Sequence, residues 1–553
     1  MLKLTRLLLP VTVFVLACGT EDNGSTAGVG GSGDGGVETD DVGATSEGAS
    51  SNGQESADET AGPEPADIPA RAIQISLVEA NTGVAVAIGA NGEWVGAEGR
   101  NSPLPKGRNT AIRVYVDVDE DIWVQRDIEA RLHVHLADGT VETQSLVETI
   151  SGDSSTASLQ SGYLFGALAE WMEPGVQYQV ELFEAGEGYE GLPEATEPPR
   201  TPPTPDLIGA EQTELELKVV MIPVNYSGPG CTSNVEATDE TLGRYADAMY
   251  QQNPVENLEI EWAPAYTVND LDLSDPGDFF SLLNRAVSYR AQANPAPNVY
   301  YYMLFENCGA CIGDGGGCTL GVAPGTPDAS MGAAQARVAI GTQFLGGSEV
   351  GIETFVHEIG HSQGRAHVAC PGASAAGPDP SFPHENGSIG VWGFGVRDFG
   401  VRNPSNHTDY MSYCNPTWVS DWQWNATYDR IRTLTSWDTG DMEMPPGQSV
   451  LVGMTNPVTN ETDWFVDEGY IADGTELATG HELRFKAGNR VLETAGVHVD
   501  EWSEGGGLTI RAPVPAGWDG EVTSIEYVAP NRRVEASRQA IADYRRPEAL
   551  TQP

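Results

Sequence analysis

Val350-Gly351-Ile352-Glu353-Thr354-Phe355-Val356-His357-Glu358-Ile359-Gly360-His361-Ser362-Gln363-Gly364-Arg365-Ala366-His367 is the stretch on which the reading of this chain turns. Ile352, Phe355, Val356 and Ile359 recur at helical spacing, so Val350 to His361 reads as a helix with one apolar side. His357 and His361 are four apart, and one helical turn places both imidazoles on the same face. Glu358 lies beside that face, where a carboxylate can take a proton from a metal-activated water. An HExxH pair alone is a weak signal. Gly364 strengthens it, because glycine accepts the left-handed conformation that ends a helix. The chain can then turn back and bring His367 in as a third ligand. Three protein ligands leave a fourth position open, which distinguishes a catalytic zinc from a structural one.

His357-Glu358-x-x-His361-x-x-Gly364-x-x-His367 resembles the zinc signature of the metzincin metalloproteases. Asp409-Tyr410-Met411-Ser412-Tyr413-Cys414 resembles the methionine turn of the same family. The resemblance covers about Leu215 to Asp438. It implies one catalytic Zn2+ on His357, His361 and His367, with Glu358 as general base. It also implies a thioether from Met411 packed beneath the metal and an oxyanion-stabilising role for Tyr413. Val368, after the third histidine, is neither the Asp nor the Glu of the common branches, so the branch stays open. If the third-histidine and methionine segments meet at the metal, Cys370 and Cys414 come close enough for a disulfide. The fold implied is multidomain α+β: a metzincin-like catalytic domain, made of a twisted sheet plus helices, between N- and C-terminal β-sandwich-like domains.

Working outward from the motif, residues 214–440 form the expected catalytic unit. It opens with a buried strand at Leu215 to Val224. Helices are predicted at Asp239 to Gln252 and Asp278 to Ala291, and strands at Asn298 to Phe305 and Arg337 to Gly341. The backbone near Arg337 to Ile340 is the expected edge for an extended peptide. A further helix runs to about Leu434, with Ser420 and Gln423 as a capping box. Residues 67–194 alternate with period two, as at Ala72 to Val78 and Gln177 to Phe183, and read as a β-sandwich. His133 and His135 share one face of such a strand and read as surface residues. His384 and His407 fall in loops and read likewise. Residues 195–213 carry Pro198 to Pro205 and read as a semi-rigid linker. Residues 441–553 return to short strands and turns.

The bulk properties narrow the function. The chain has 553 residues and a net charge of −51. Such acidity repels nucleic acid and anionic membranes and favours solubility. Calcium on clustered Asp is a further reading of the charge, but no Asp-x-Asp-x-Asp-Gly loop supports a site. Lys3 and Arg6 precede a short apolar run, Leu7 to Ala17, which reads as a signal peptide over 1–17. Val15-Leu16-Ala17-Cys18 resembles the lipobox of bacterial lipoproteins. That implies lipid on Cys18 and a cell-envelope location facing the exterior or periplasm. Residues 18–66 are rich in Gly, Ser and Asp and read as a disordered tether. Cys231, Cys308, Cys311, Cys318, Cys370 and Cys414 are even in number in an exported chain, which points to three disulfides.

The functional expectation is a monomeric zinc endopeptidase acting on extracellular protein or glycoprotein, touching membrane only through its anchor. Two alternatives stay open. One is a surface adhesin or glycan-binding lipoprotein that keeps the fold for binding. The other is a zinc hydrolase acting on a non-peptide bond.

Overall fold

The structure is a computed structural model. It describes residues 67–212, 214–312, 318–343, 349–373, 377–438, 448–471 and 476–545. The expected signal peptide, Cys18 and the expected tether lie outside the described residues. Ala66–Pro553 forms one compact unit. No helix among the described residues is long and apolar enough to cross a membrane.

The alternating segment near the N-terminus folds into two antiparallel sheets. A five-stranded sheet centres on Ile73–Asn81 and Thr110–Val118, and a four-stranded one on Arg126–His135 and Gln177–Glu184. The inward residues Ile128, Ala130, Leu132 and Val134 are fully buried, as period two requires. The Pro-rich run is not a linker. Arg200–Leu207 is a strand of the four-stranded sheet, paired antiparallel with Gln177–Glu184. It lies at the sheet edge, where a missing proline N–H breaks no ladder on the open side.

The long strand Glu216–Gly228 anchors a mixed seven-stranded sheet. Val299–Phe305 pairs parallel with it, and Val338–Thr342 pairs parallel with Val299–Phe305. Gly321–Val322 closes the row, antiparallel to Val338–Thr342. The edge beside the motif is therefore Gly321–Val322. The Arg337 to Ile340 segment, expected to be that edge, is fully buried, and Gly321–Val322 pairs on its outer side at Ile340 and the following Gly341.

Four α-helices accompany the strands: α1 (Asp239–Gln252), α2 (Pro276–Ala293), α3 (Glu349–Ser362) and α4 (Asp421–Thr435). Strand alternation sorts them. Tyr300, Tyr302 and Leu304 join the core that holds apolar residues of α1, α3 and α4. Tyr301, Met303 and Phe305 join the core of α2. The caps follow the local chemistry: Thr238, Asp275 and Ser420 each accept a backbone N–H at the first turn of α1, α2 and α4. The C-terminal residues form a five-stranded and a four-stranded sheet.

The α+β class implied by the resemblance is corrected by this architecture. The chain is predominantly β, with 29 strands against four α-helices among the described residues. A metzincin-like catalytic domain set between two separate sandwiches is not what forms. The physical reason lies in the cores. One apolar core runs without a break from Ala70 to Leu434, joining the first sandwich to α1, α3 and α4. A second joins α2 to the C-terminal strands through Val450, Phe465 and Trp502. Helical periodicity is confined to four segments of 14 to 18 residues.

Candidate metal centre

Helix α3 ends where the motif needs it to end. Gly364 has φ +80°. Its N–H donates to the His361 carbonyl at 2.7 Å, and the Arg365 N–H reaches back to the Gly360 carbonyl at 2.9 Å. This is the paired closure of a Schellman cap. A Cβ at Gly364 would stand 2.6 Å from the Pro327 carbonyl oxygen, so shape as well as φ demands glycine. The reversal carries His367 over the helix end.

The three histidines meet there. His361 Nε2 lies 3.1 Å from both His357 Nε2 and His367 Nε2. His357 Nδ1 donates to the Tyr410 carbonyl at 2.8 Å, and His361 Nδ1 donates to the Arg365 carbonyl at 2.7 Å. Those bonds place the ring protons on Nδ1 and leave Nε2 as a lone pair. Two lone pairs cannot satisfy each other across 3.1 Å, so a cation between them resolves the arrangement. Tetrahedral zinc with ligands at about 2.0–2.1 Å separates its nitrogens by about 3.3 Å, which the spacing fits. Burial, with the neighbouring His367 charge adding to it, holds the His357 imidazole down to about 4. Burial and the two other imidazoles hold His361 well below its ordinary value. Neutral imidazole is the form that binds metal. His357, His361 and His367 together can hold a metal ion.

The methionine turn forms the floor. Met411 is fully buried, and the Val368 N–H donates to the Met411 carbonyl at 2.8 Å. A Cβ on Gly360 would lie 2.5 Å from Met411 Sδ. The glycine between the two helical histidines is therefore what lets the turn approach. Asp409 tightens the turn by accepting the Met411 N–H at 2.8 Å and the Ser420 N–H at 3.1 Å. A Cys370–Cys414 disulfide ties the third-histidine segment to the turn. The remaining disulfides are Cys231–Cys308 and Cys311–Cys318, so neither partner of the Cys308-x-x-Cys311 pair bonds the other.

Glu358 is 3% exposed. Its stem crosses Gly321, where a Cβ would lie 2.5 Å from Glu358 Cγ. Its Oε2 has no hydrogen-bond partner. Burial pushes its carboxyl well above the ordinary carboxylate range, and the Glu504 charge adds to that. Tyr413 places its hydroxyl 3.0 Å from His367 Nε2, and burial raises its phenol. His133, His384 and His407 stand apart from the cluster: His384 pairs with Asp421 at 2.6 Å, and His133 bonds Thr143 at 2.9 Å.

Glu504 is the residue that the sequence reading missed. Its Oε1 lies 3.1 Å from His367 Nε2 and accepts the Tyr413 hydroxyl. Burial opposes its charge, but the bonds from His367 and Tyr413 outweigh that and keep its carboxyl below the ordinary value. It comes from the loop Trp502-Ser503-Glu504-Gly505-Gly506-Gly507, far along the chain. The three glycines mark a tight turn in the sequence, but nothing there connects it to a metal.

No protein-family model matches this chain, and no curated protein sequence does. Among solved structures it aligns with a β-galactosidase from Bacteroides fragilis at 7% identity. That alignment covers 87% of this chain and 75% of the other, with a TM-score of 0.13. It also aligns with a Paenibacillus cycloisomaltooligosaccharide glucanotransferase at 10% identity. There the coverage is 82% and 71%, with a TM-score of 0.15. Alignments this loose say nothing about the site.

Proposed function

We propose that the chain is a zinc-dependent endopeptidase of extracellular proteins. One observation carries the reading. Three imidazole nitrogens converge within reach of a single ion, beside a buried carboxylate with an unpartnered oxygen. The motif likeness to the metzincin signature supports it, as does the imidazole set, which suits zinc among divalent metals. A bound zinc supplies Lewis acidity, acidifying water and polarising a carbonyl.

The chain's own groups supply the rest. Glu358 accepts the proton of the attacking water and returns it to the leaving amine. Its apolar setting raises its basicity for that task. Tyr413 O–H donates to the developing oxyanion. His357 and His361 are held in register by the Tyr410 and Arg365 carbonyls, so the donor set is ordered before any ligand arrives. The acidic surface and the N-terminal segment suit a lipid-anchored envelope location.

The test compares casein cleavage by the wild-type chain and by Glu358→Gln, with bound zinc measured in both. The variant retains zinc and loses cleavage. Cleavage unchanged by the substitution overturns the mechanism. A wild-type chain that binds zinc but cleaves none of a broad substrate panel favours the binding-protein alternative.

A further inference from the structure

A cleft of about 360 Å³ opens between α2 and the C-terminal sheet. It lies on the α2 side of the central sheet, where Tyr301, Met303 and Phe305 point, whereas Tyr300, Tyr302 and Leu304 point to the core of α3. Helix α2 builds one wall. Its Phe279, Leu282, Leu283, Ala286 and Val287 are buried in the core, and Asn284, Arg285, Ser288 and Tyr289 form the adjoining helical stripe that lines the cleft. The strand Thr462–Gly469 builds the other wall. Period two sends Trp464 into the core of the C-terminal sandwich and leaves Asp463 and Phe465 on the side of α2.

Aromatic rings stand on both walls. Tyr266 meets Tyr289 edge to face, with ring centres 6.0 Å apart. Tyr544 packs on Phe465 with ring centres 5.5 Å apart. A polar pair lies in the same cleft. Asn284 is 5% exposed, and its Nδ2 donates to Asp463 Oδ2 at 2.7 Å. A carboxylate only accepts, so the amide must present its NH2 there, and its Oδ1 is left with no hydrogen-bond partner. A buried acceptor lining a cleft calls for a donor from the ligand.

The charges narrow the ligand further. Among the described residues the charged side chains of the lining are Arg285 and Asp463, of opposite sign. Arg285 is fixed by two bonds of 2.8 Å to Asp270, which use two of its five N–H groups. An ammonium ligand must approach that guanidinium, and an anion must approach Asp463. A neutral hydroxyl meets neither penalty. It can donate to Asn284 Oδ1 or Asp463 and accept from Arg285. The C–H face of a sugar ring is slightly positive and packs on the negative face of an aromatic ring.

We propose that this cleft binds a neutral saccharide unit, with Asn284 as its buried acceptor and Tyr289 among its stacking rings. Its volume falls in the range of small-molecule sites, about 300 to 1,000 Å³. None of its residues belongs to the candidate metal centre, so the site goes beyond the peptidase reading and stands apart from it. On a peptidase it would retain a glycosylated substrate. On a chain that cleaves nothing it would be the binding activity itself.

The experiment uses the full chain and follows binding by saturation-transfer NMR and calorimetry. The probes are glucose, galactose, mannose, N-acetylglucosamine and N-acetylgalactosamine, with cationic glucosamine and anionic glucuronic acid as charged counterparts. At least one neutral sugar should saturate, with a Kd of about a millimolar for a single ring. The charged counterparts should bind about tenfold more weakly or not at all. Asn284→Leu removes the acceptor and should weaken binding by about tenfold or more. Ser288→Trp fills the cleft from a partly exposed helix position and should abolish it. Glu240→Gln on α1 should match wild type, and melting curves confirm that each variant is folded. Absence of saturable binding by every neutral sugar overturns the proposal. So does binding that survives both Asn284→Leu and Ser288→Trp, or glucosamine binding tighter than any neutral ring. Sugar bound by a chain that cleaves no peptide would end the peptidase reading and leave the saccharide site in place.

Discussion

The candidate metal centre has two arms of opposite character. One is local: α3, its Schellman turn and His367 form a continuous stretch whose spacing defines its geometry. The other is remote: the hairpin loop at 502–507 arrives from the last sheet of the chain and is placed by packing against Phe280 and by two bonds to Ala323. The first arm carries its instructions in residue intervals. The second carries none, because its position depends on how the C-terminal sheet docks on α2. A local arm is broken by changing its own residues. A remote arm is broken by changing what it leans on.

The largest expected effect lies in the local arm. Glu358→Gln should lower casein cleavage by about a thousandfold, the range of a lost general base, with zinc content unchanged by atomic absorption. Next comes the tie between the third histidine and the methionine turn. The Cys370–Cys414 bond spans 44 positions, and removing it by a double Ser substitution should cost about 4 kcal/mol on the chain-entropy account. The Cys311–Cys318 bond spans 7 positions and should cost only about 2 kcal/mol, so chemical denaturation of the two double variants ranks them.

The glycines test the contrast between the arms directly. Gly360→Ala drives a methyl toward Met411 Sδ and Tyr410 and should cost about 1 to 3 kcal/mol, with weakened zinc retention. Gly505→Ala meets a positive φ and the Phe280 ring and should cost about 1 to 3 kcal/mol, while the three-histidine donor set stays intact. Equal loss of zinc from both variants would erase the distinction.

A last test lies in the C-terminal sheet itself. Asp467, buried in the C-terminal sheet, is pushed up from 3.8 to about 7 by burial, against the pull of Arg290 on α2. A carboxyl raised in the folded state contributes stability that is complete below about pH 4 and is lost as pH rises through about 7. Asp467→Asn lacks that loss. Its melting temperature should therefore gain on wild type between pH 4 and pH 8, and a constant difference would contradict the assignment.

The four helices were legible because each combines apolar spacing with a cap or stop that acts within a turn or two. Predicted and observed spans agree closely at Asp239–Gln252 and Glu349–Ser362. The Pro-rich run was misread because proline content describes a chain in isolation, and only the neighbouring strand Gln177–Glu184 shows that an edge was available. The fold class failed for a related reason. A motif in one segment cannot weigh the strands of the rest, nor show that the first sandwich shares one core with α3.

By itself the sequence determined the histidine intervals at His357, His361 and His367, the carboxylate beside them and the glycine that turns the chain. These depend on helical geometry and on φ, which are properties of a few adjacent residues. Tertiary structure alone decided that Gly360 must admit Met411, that Gly321 must admit Glu358 and that Glu504 reaches His367 and Tyr413. Those are contacts between surfaces far apart in the chain, and their complementarity exists only once the cores have packed.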